Sequence, residues 1–179
     1  MKRGPMLYSA NVDNVRFKVL RQRGQLPFEA PEGHSYTLDH AFRLRLMLDL
    51  IGGEDDGLGG LAPSDAAPLV VEVMGRFPRH PLHQIEPFDW WAGVAILEAM
   101  QGDETRRWAV TYAGELAQFP AWLDEARTFE AGGPDRAVAM RGKHRVVRVF
   151  LVNATRAANV VRDRAEEIGI EPFATEASQ

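Results

Sequence analysis

The chain has 179 residues, of which 45% are hydrophobic and 26% charged, the size and balance of one or two compact domains rather than of a disordered tail. Lacking cysteine, it can build neither a disulfide framework nor a thiolate metal site nor a cysteine nucleophile. Its net charge of −4 gives no global attraction to phosphate backbones, so nucleic-acid binding would have to come from a local cluster of cations.

Met1, Lys2 and Arg3 are followed by no apolar run of signal-peptide length, and no later stretch reaches the roughly 20 apolar residues of a membrane span. The expectation is a soluble, cytoplasmic protein with no membrane partner. The first predicted helix covers residues 11–20, where Val12, Val15, Phe17 and Leu20 form an imperfect apolar face beside Arg16, Lys18, Arg21 and Arg23. The region before Val12 is too short for a polar recognition helix, so none is expected there. Gly24 ends the first helix, and residues 25–35, with Pro27, Pro31 and Gly33, read as a loop or wing carrying an apolar tip.

Thr37 is a good N-cap for the clearest helix of the chain, residues 38–51. Leu38, Ala41, Phe42, Leu44, Leu48 and Ile51 form a wide apolar stripe there, closed by Gly52-Gly53. Residues 53–60 form an acidic, glycine-rich loop. Pro63 suits the first turn of a helix running to Met74, which Pro68 should bend or shorten. Pro78, Pro81 and Pro87 then mark an expected boundary between modules. Beyond it, residues 91–100 and 108–112 read as the strands of a hairpin around Gln101-Gly102-Asp103-Glu104, and residues 146–152 as a third strand. Asn153 or Thr155 can cap a last helix that runs to Ile168 and ends at Gly169. The predicted fold is α+β: a helical, winged-helix-like module over 1–77, a hairpin-and-helix module over 88–172, and a polar tail over 173–179.

Catalytic and metal signatures are weak throughout, and neither an enzyme nor a cofactor is expected. His80 and His83 stand among prolines with no third ligand at a recognisable offset. His34, His40 and His144 are isolated, and no serine lies in a nucleophile-elbow context. Gly57, Gly59 and Gly60 sit beside acids and precede no lysine, so they would repel phosphate rather than cradle it. Glu98, Glu104 and Glu115 are expected to be solvated carboxylates.

Binding motifs are better represented. The segment Gln25-Leu26-Pro27-Phe28 resembles the short peptides that enter the cleft of the replication sliding clamp. In those peptides a glutamine amide makes polar contacts and a leucine and an aromatic residue fill apolar pockets. The six-residue form of that pattern begins with glutamine, whereas here Arg23 holds the first position, between Gln22 and Gln25. Gln84-Ile85-Glu86-Pro87-Phe88 and Gln118-Phe119-Pro120 are lesser matches. Through the Gln25–Phe28 segment, its size and its lack of enzyme signatures, the chain resembles the SocB-type, replication-inhibiting toxins of alphaproteobacterial toxin–antitoxin pairs. That resemblance implies a non-catalytic toxin that blocks DNA replication by occupying the β sliding clamp through Gln25, Leu26, Pro27 and Phe28. It also implies an antitoxin that acts as a proteolytic adaptor and delivers the toxin to the ClpXP protease. The competing structural reading is that Leu26 and Phe28 fold back on helix 38–51 as ordinary core.

The same region supports a second functional reading. Arg21 to Pro27 followed by Tyr36-Thr37-Leu38 resembles the order of MerR-like winged helix-turn-helix proteins over roughly the first 75 residues. This implies a transcriptional regulator that touches DNA through Arg16, Lys18, Arg21 and Arg23.

Overall fold

A computed structural model describes residues 1–31, 35–52, 60–84, 89–101, 103–128 and 144–171. The chain begins with two short helices, α1 (Arg3–Ser9) and α2 (Asn14–Gln22). Helix α1 stops where Asn11 takes φ +54°; its N–H donates to Tyr8 O at 3.0 Å and that of Val12 to Leu7 O at 3.0 Å. This pair of bonds is a Schellman cap, which satisfies the orphan carbonyls of a helix end through one left-handed residue. Asp13 then opens α2, its Oδ1 accepting from the N–H of Val15 at 2.7 Å and of Arg16 at 2.9 Å. Helix α2 closes with the same motif at Gly24 (φ +65°), where the N–H of Gln25 donates to Leu20 O at 2.8 Å.

Helix α3 (Leu38–Ile51) has the expected bounds and a capping box in which Thr37 and His40 satisfy each other's backbone N–H groups. Helix α4 (Pro63–Met74) begins on a proline at its first position and continues through Pro68. That proline neither shortens the helix nor enters the core: it is exposed, while Ala66, Ala67, Val70 and Val73 face inward.

The sheet is antiparallel, in the order β2-β1-β3, from β1 (Trp90–Gln101), β2 (Glu104–Glu115) and β3 (Arg145–Asn153). β1 pairs along its whole length with β2, Trp90 opposite Glu115 and Gln101 opposite Glu104. Its pairing with β3 shifts register between Ile96 and Leu97. Both edges of β1 are paired and both its faces are covered, by the helices on one side and by the segment around Phe119 on the other, so its sequence reads as a continuous apolar run rather than an alternation. Trp90, Ala92 and Val94 face the helices; Gly93 lies on the other face, where an added Cβ would meet Leu151 Cδ1 at 3.0 Å and Tyr112 Cβ at 3.3 Å. That second face is covered by α5 (Phe119–Thr128), whose Phe119 and Trp122 form an aromatic cluster with Tyr112 at ring separations of 5.1 to 5.4 Å. Helix α6 (Ala154–Glu167) is capped by the Asn153 side chain and packs on α3 and α1.

Six helices and a three-stranded antiparallel sheet among the described residues thus make an α+β fold. The boundary expected near 78–87 is not a break in the packing. Met6, Phe17, Phe42 and Val70 from the first half share one buried cluster with Trp90, Val94, Ala158 and Val161 from the second. Arg162 of α6 fastens the connection by donating to Leu82 O at 3.3 Å and Gln84 O at 2.7 Å. None of the described helices is long and apolar enough to cross a membrane.

Candidate functional site

The chain starts with two short helices, α1 and α2, joined by a turn over residues 10–13. Sequence reasoning missed α1, and with it the partner that the predicted first helix needed. The reason is local: Gly4 and Pro5 in a seven-residue helix carry poor helix propensity, so α1 depends on tertiary contacts. Helix α6 supplies them. Tyr8 donates its hydroxyl to Glu167 Oε2 at 2.6 Å, Arg164 Nε donates to Tyr8 O at 2.7 Å, and the Arg164 guanidinium lies 4.4 Å from the Tyr8 ring centroid. The last helix of the chain therefore holds the first.

Helix α2 buries Phe17 and Leu20, at 0% and 4% exposure, with the Phe17 ring edge-on to Tyr36 at 6.1 Å. Its other side is bare: Asn14, Val15, Lys18, Val19, Arg21 and Gln22 are exposed and Arg16 is half-buried. Of the sequence-predicted DNA contacts, Arg16, Lys18 and Arg21 thus lie on one helix and Arg23 at its C-cap. Lys2, Arg3, Arg16, Lys18, Arg21 and Arg23 precede Gly24 against one carboxylate, Asp13, in a chain of net charge −4. The backbone N–H of Arg16, joined by that of Val15, holds the Asp13 carboxyl below its ordinary value despite the opposing effect of burial. Val15, expected on the apolar face with Phe17 and Leu20, is instead 71% exposed, because the helix starts at Asn14 and turns that residue outward; Asn14, Val19 and Gln22 were not assigned to a functional face. The Asp13-Asn14 pair was the available signal, since both residue types favour N-caps.

The loop after α2 returns to the chain start: Tyr36 donates its N–H to Met1 O at 2.9 Å and accepts from Met1 N at 2.6 Å. Within the loop Pro27 is buried and Gln25, Leu26 and Phe28 are half-buried. Phe28 packs on His40 at 4.5 Å and edge-on to Tyr36 at 6.4 Å, so the Leu-Pro-Phe tip lies folded against α3. An open groove of about 630 Å³ runs beside it, lined by Leu26, Phe28, Glu29, Asp39, His40 and Arg43 among others. The amide Oε1 of Gln25 is buried and has no hydrogen-bond partner among the described residues.

Asp39 links this groove to His80, the residue that caps the short turn Pro81–His83. It accepts from Arg43 Nε at 2.6 Å and contacts His80 Nε2 at 2.8 Å. Burial raises its carboxyl, but those bonds to His80 and Arg43 outweigh burial and leave it below the ordinary carboxylate value. His40 is pushed down by burial, and His83 by burial and by the charge of His80. The described residues contain no group of three or more ligands able to hold a metal ion.

Of the remaining sequence candidates, Gln118-Phe119-Pro120 places Phe119 in the aromatic cluster under the sheet. Residues 85–88 of the Gln84–Phe88 match, together with His34, Gly57 and Gly59, lie outside the described residues. Glu98 is ion-paired to Arg107 at 2.7 Å and to Arg145 at 3.0 Å. No protein-family model, curated protein or solved structure matches this chain.

Proposed function

We propose that the protein is a DNA-binding regulator of MerR-like organisation, in which α2 enters the major groove and the rest of the fold holds it there. The observation that carries this reading is α2 itself. It is the second of two short helices joined by a turn, anchored by Phe17 and Leu20, with an exposed face set among cations. Helices of that kind dock with their exposed residues on base edges and their flanking cations on phosphates. Replacing Arg16, Lys18, Arg21 and Arg23 together by alanine is expected to remove a salt-sensitive shift of duplex DNA in a gel. Unchanged binding by that variant would refute the assignment of α2.

A second proposal keeps Gln25-Leu26-Pro27-Phe28 as a sliding-clamp peptide of a SocB-type toxin, with an antitoxin adaptor and ClpXP as further partners. What favours it is the half-exposure of Leu26 and Phe28 along an open groove, with the Gln25 Oε1 unpartnered among the described residues. Docking in the clamp cleft requires the segment to extend, so Pro27 and Phe28 must leave the surface of α3. Clamp pull-down by the intact chain, lost on Gln25→Ala, Leu26→Ala or Phe28→Ala, is the expected result of this second reading; unchanged pull-down sinks it.

A further inference from the structure

We infer that α2 reads thymine methyl groups through Val15 and Val19, so that the preferred duplex carries A·T pairs in the groove the helix enters; the inference rests on the DNA-binding reading above. With successive helical residues about 100° apart, Asn14, Lys18, Gln22, Val15 and Val19 fall within an arc of about 140° opposite Phe17 and Leu20. Arg21 lies beyond one edge of that arc and Arg16 beyond the other. The face is therefore a strip of five side chains between two arginines, the layout expected when the strip meets bases and the arginines meet the phosphates of the two strands.

The side of the strip nearer Arg16 is apolar. Val15 is 71% exposed and Val19 39% exposed, and residues four apart on a helix are surface neighbours, so their branched methyls form one hydrophobic patch. The surrounding cations select a polyanion as the occupant rather than an apolar protein surface. In the major groove the only apolar group on a base edge is the C5-methyl of thymine, whereas guanine and cytosine present polar atoms alone. Asn14 and Gln22 stand at the two ends of the strip, and their amides suit the N6/N7 edge of adenine, the partner of thymine. Lys18 between them can donate to a purine N7 or to thymine O4.

The test uses the full chain and three 20-base-pair duplexes of roughly equal length and charge: alternating A·T, the same duplex with deoxyuridine for thymidine, and alternating G·C. Fluorescence anisotropy gives each Kd at one low salt concentration. Removing the thymine methyl should weaken wild-type binding about fourfold for each methyl that a valine covers, the equivalent of one methylene of burial. In Val15→Ala/Val19→Ala the gap between the thymine and uracil duplexes should shrink, because the valine γ-methyls that met the thymine methyls are gone. Both valines are exposed, so the variant keeps its core, and the uracil probe alters no protein atom. Equal wild-type affinity for the thymine and uracil duplexes overturns the methyl readout and leaves the DNA-binding reading standing. Absence of binding to all three overturns both.

Discussion

Phe28→Ala separates the two readings of the loop after α2. The side chain is half-buried and its ring contacts Tyr36 and His40. Truncating a fully buried phenylalanine costs about 3 to 5 kcal/mol, and a half-buried ring loses roughly half of that, about 2 kcal/mol. With a urea m-value of about 2 kcal/mol/M for a chain of this size, the unfolding midpoint should fall by about 1 M at unchanged m. Urea titration followed by tryptophan fluorescence measures this, with Trp90 buried in the shared core as a reporter. A midpoint within about 0.2 M of wild type would refute the packing of the Leu-Pro-Phe tip on α3 and would leave that tip free to act as a docking peptide.

Two further outcomes follow from the packing and the titrating groups. Gly93→Ala forces a methyl against Leu151 and Tyr112 on the covered face of β1; over-packing of this kind costs about 1 to 3 kcal/mol, and thermal unfolding should show a lowered Tm with DNA binding intact. Stability should fall as the pH drops below 6.5, the ordinary histidine value, because His40 and His83 are held below it in the folded chain and the unfolded chain takes up their protons first. The loss from Asp39 comes only below 3.8, since its folded value is also lowered. His40→Gln preserves an acceptor at the third helical position for the Thr37 N–H, which His40 Nδ1 now meets at 3.0 Å. The variant should flatten the Tm profile between pH 7.5 and 5.5; an unaltered profile would contradict the role of His40.

Local signals made α3 and its Thr37 cap, the start and end of α4, the Asn153 cap of α6 and the hairpin of β1 and β2 legible in the sequence. Each of these elements is set by residues within it. The missed elements depend on partners outside them: Glu167 and Arg164 hold α1 through Tyr8 across the length of the chain, and α5 starts on Phe119-Pro120 and is positioned by the packing of its Phe119 and Trp122 on Tyr112 of β2. The expected boundary rested on prolines, which mark turns but do not reveal that Trp90 and Val94 share a buried core with Met6 and Phe17. At the candidate site the cations Arg16, Lys18, Arg21 and Arg23 were visible as a charged run. The strip of Asn14, Val15, Val19 and Gln22 became visible only once the start of α2 at Asp13 fixed which side of the helix faces outward.

DNA binding through α2 is most directly tested by the affinity of the intact chain for a random-sequence 20-base-pair duplex across a series of salt concentrations. Binding at low salt and a negative slope of log K against log salt are expected. That slope should become shallower by roughly 0.9 for each phosphate left without its cation when Arg16, Lys18, Arg21 and Arg23 are replaced by alanine. No binding at about 50 mM salt, or a slope that the four substitutions leave unchanged, would contradict the assignment.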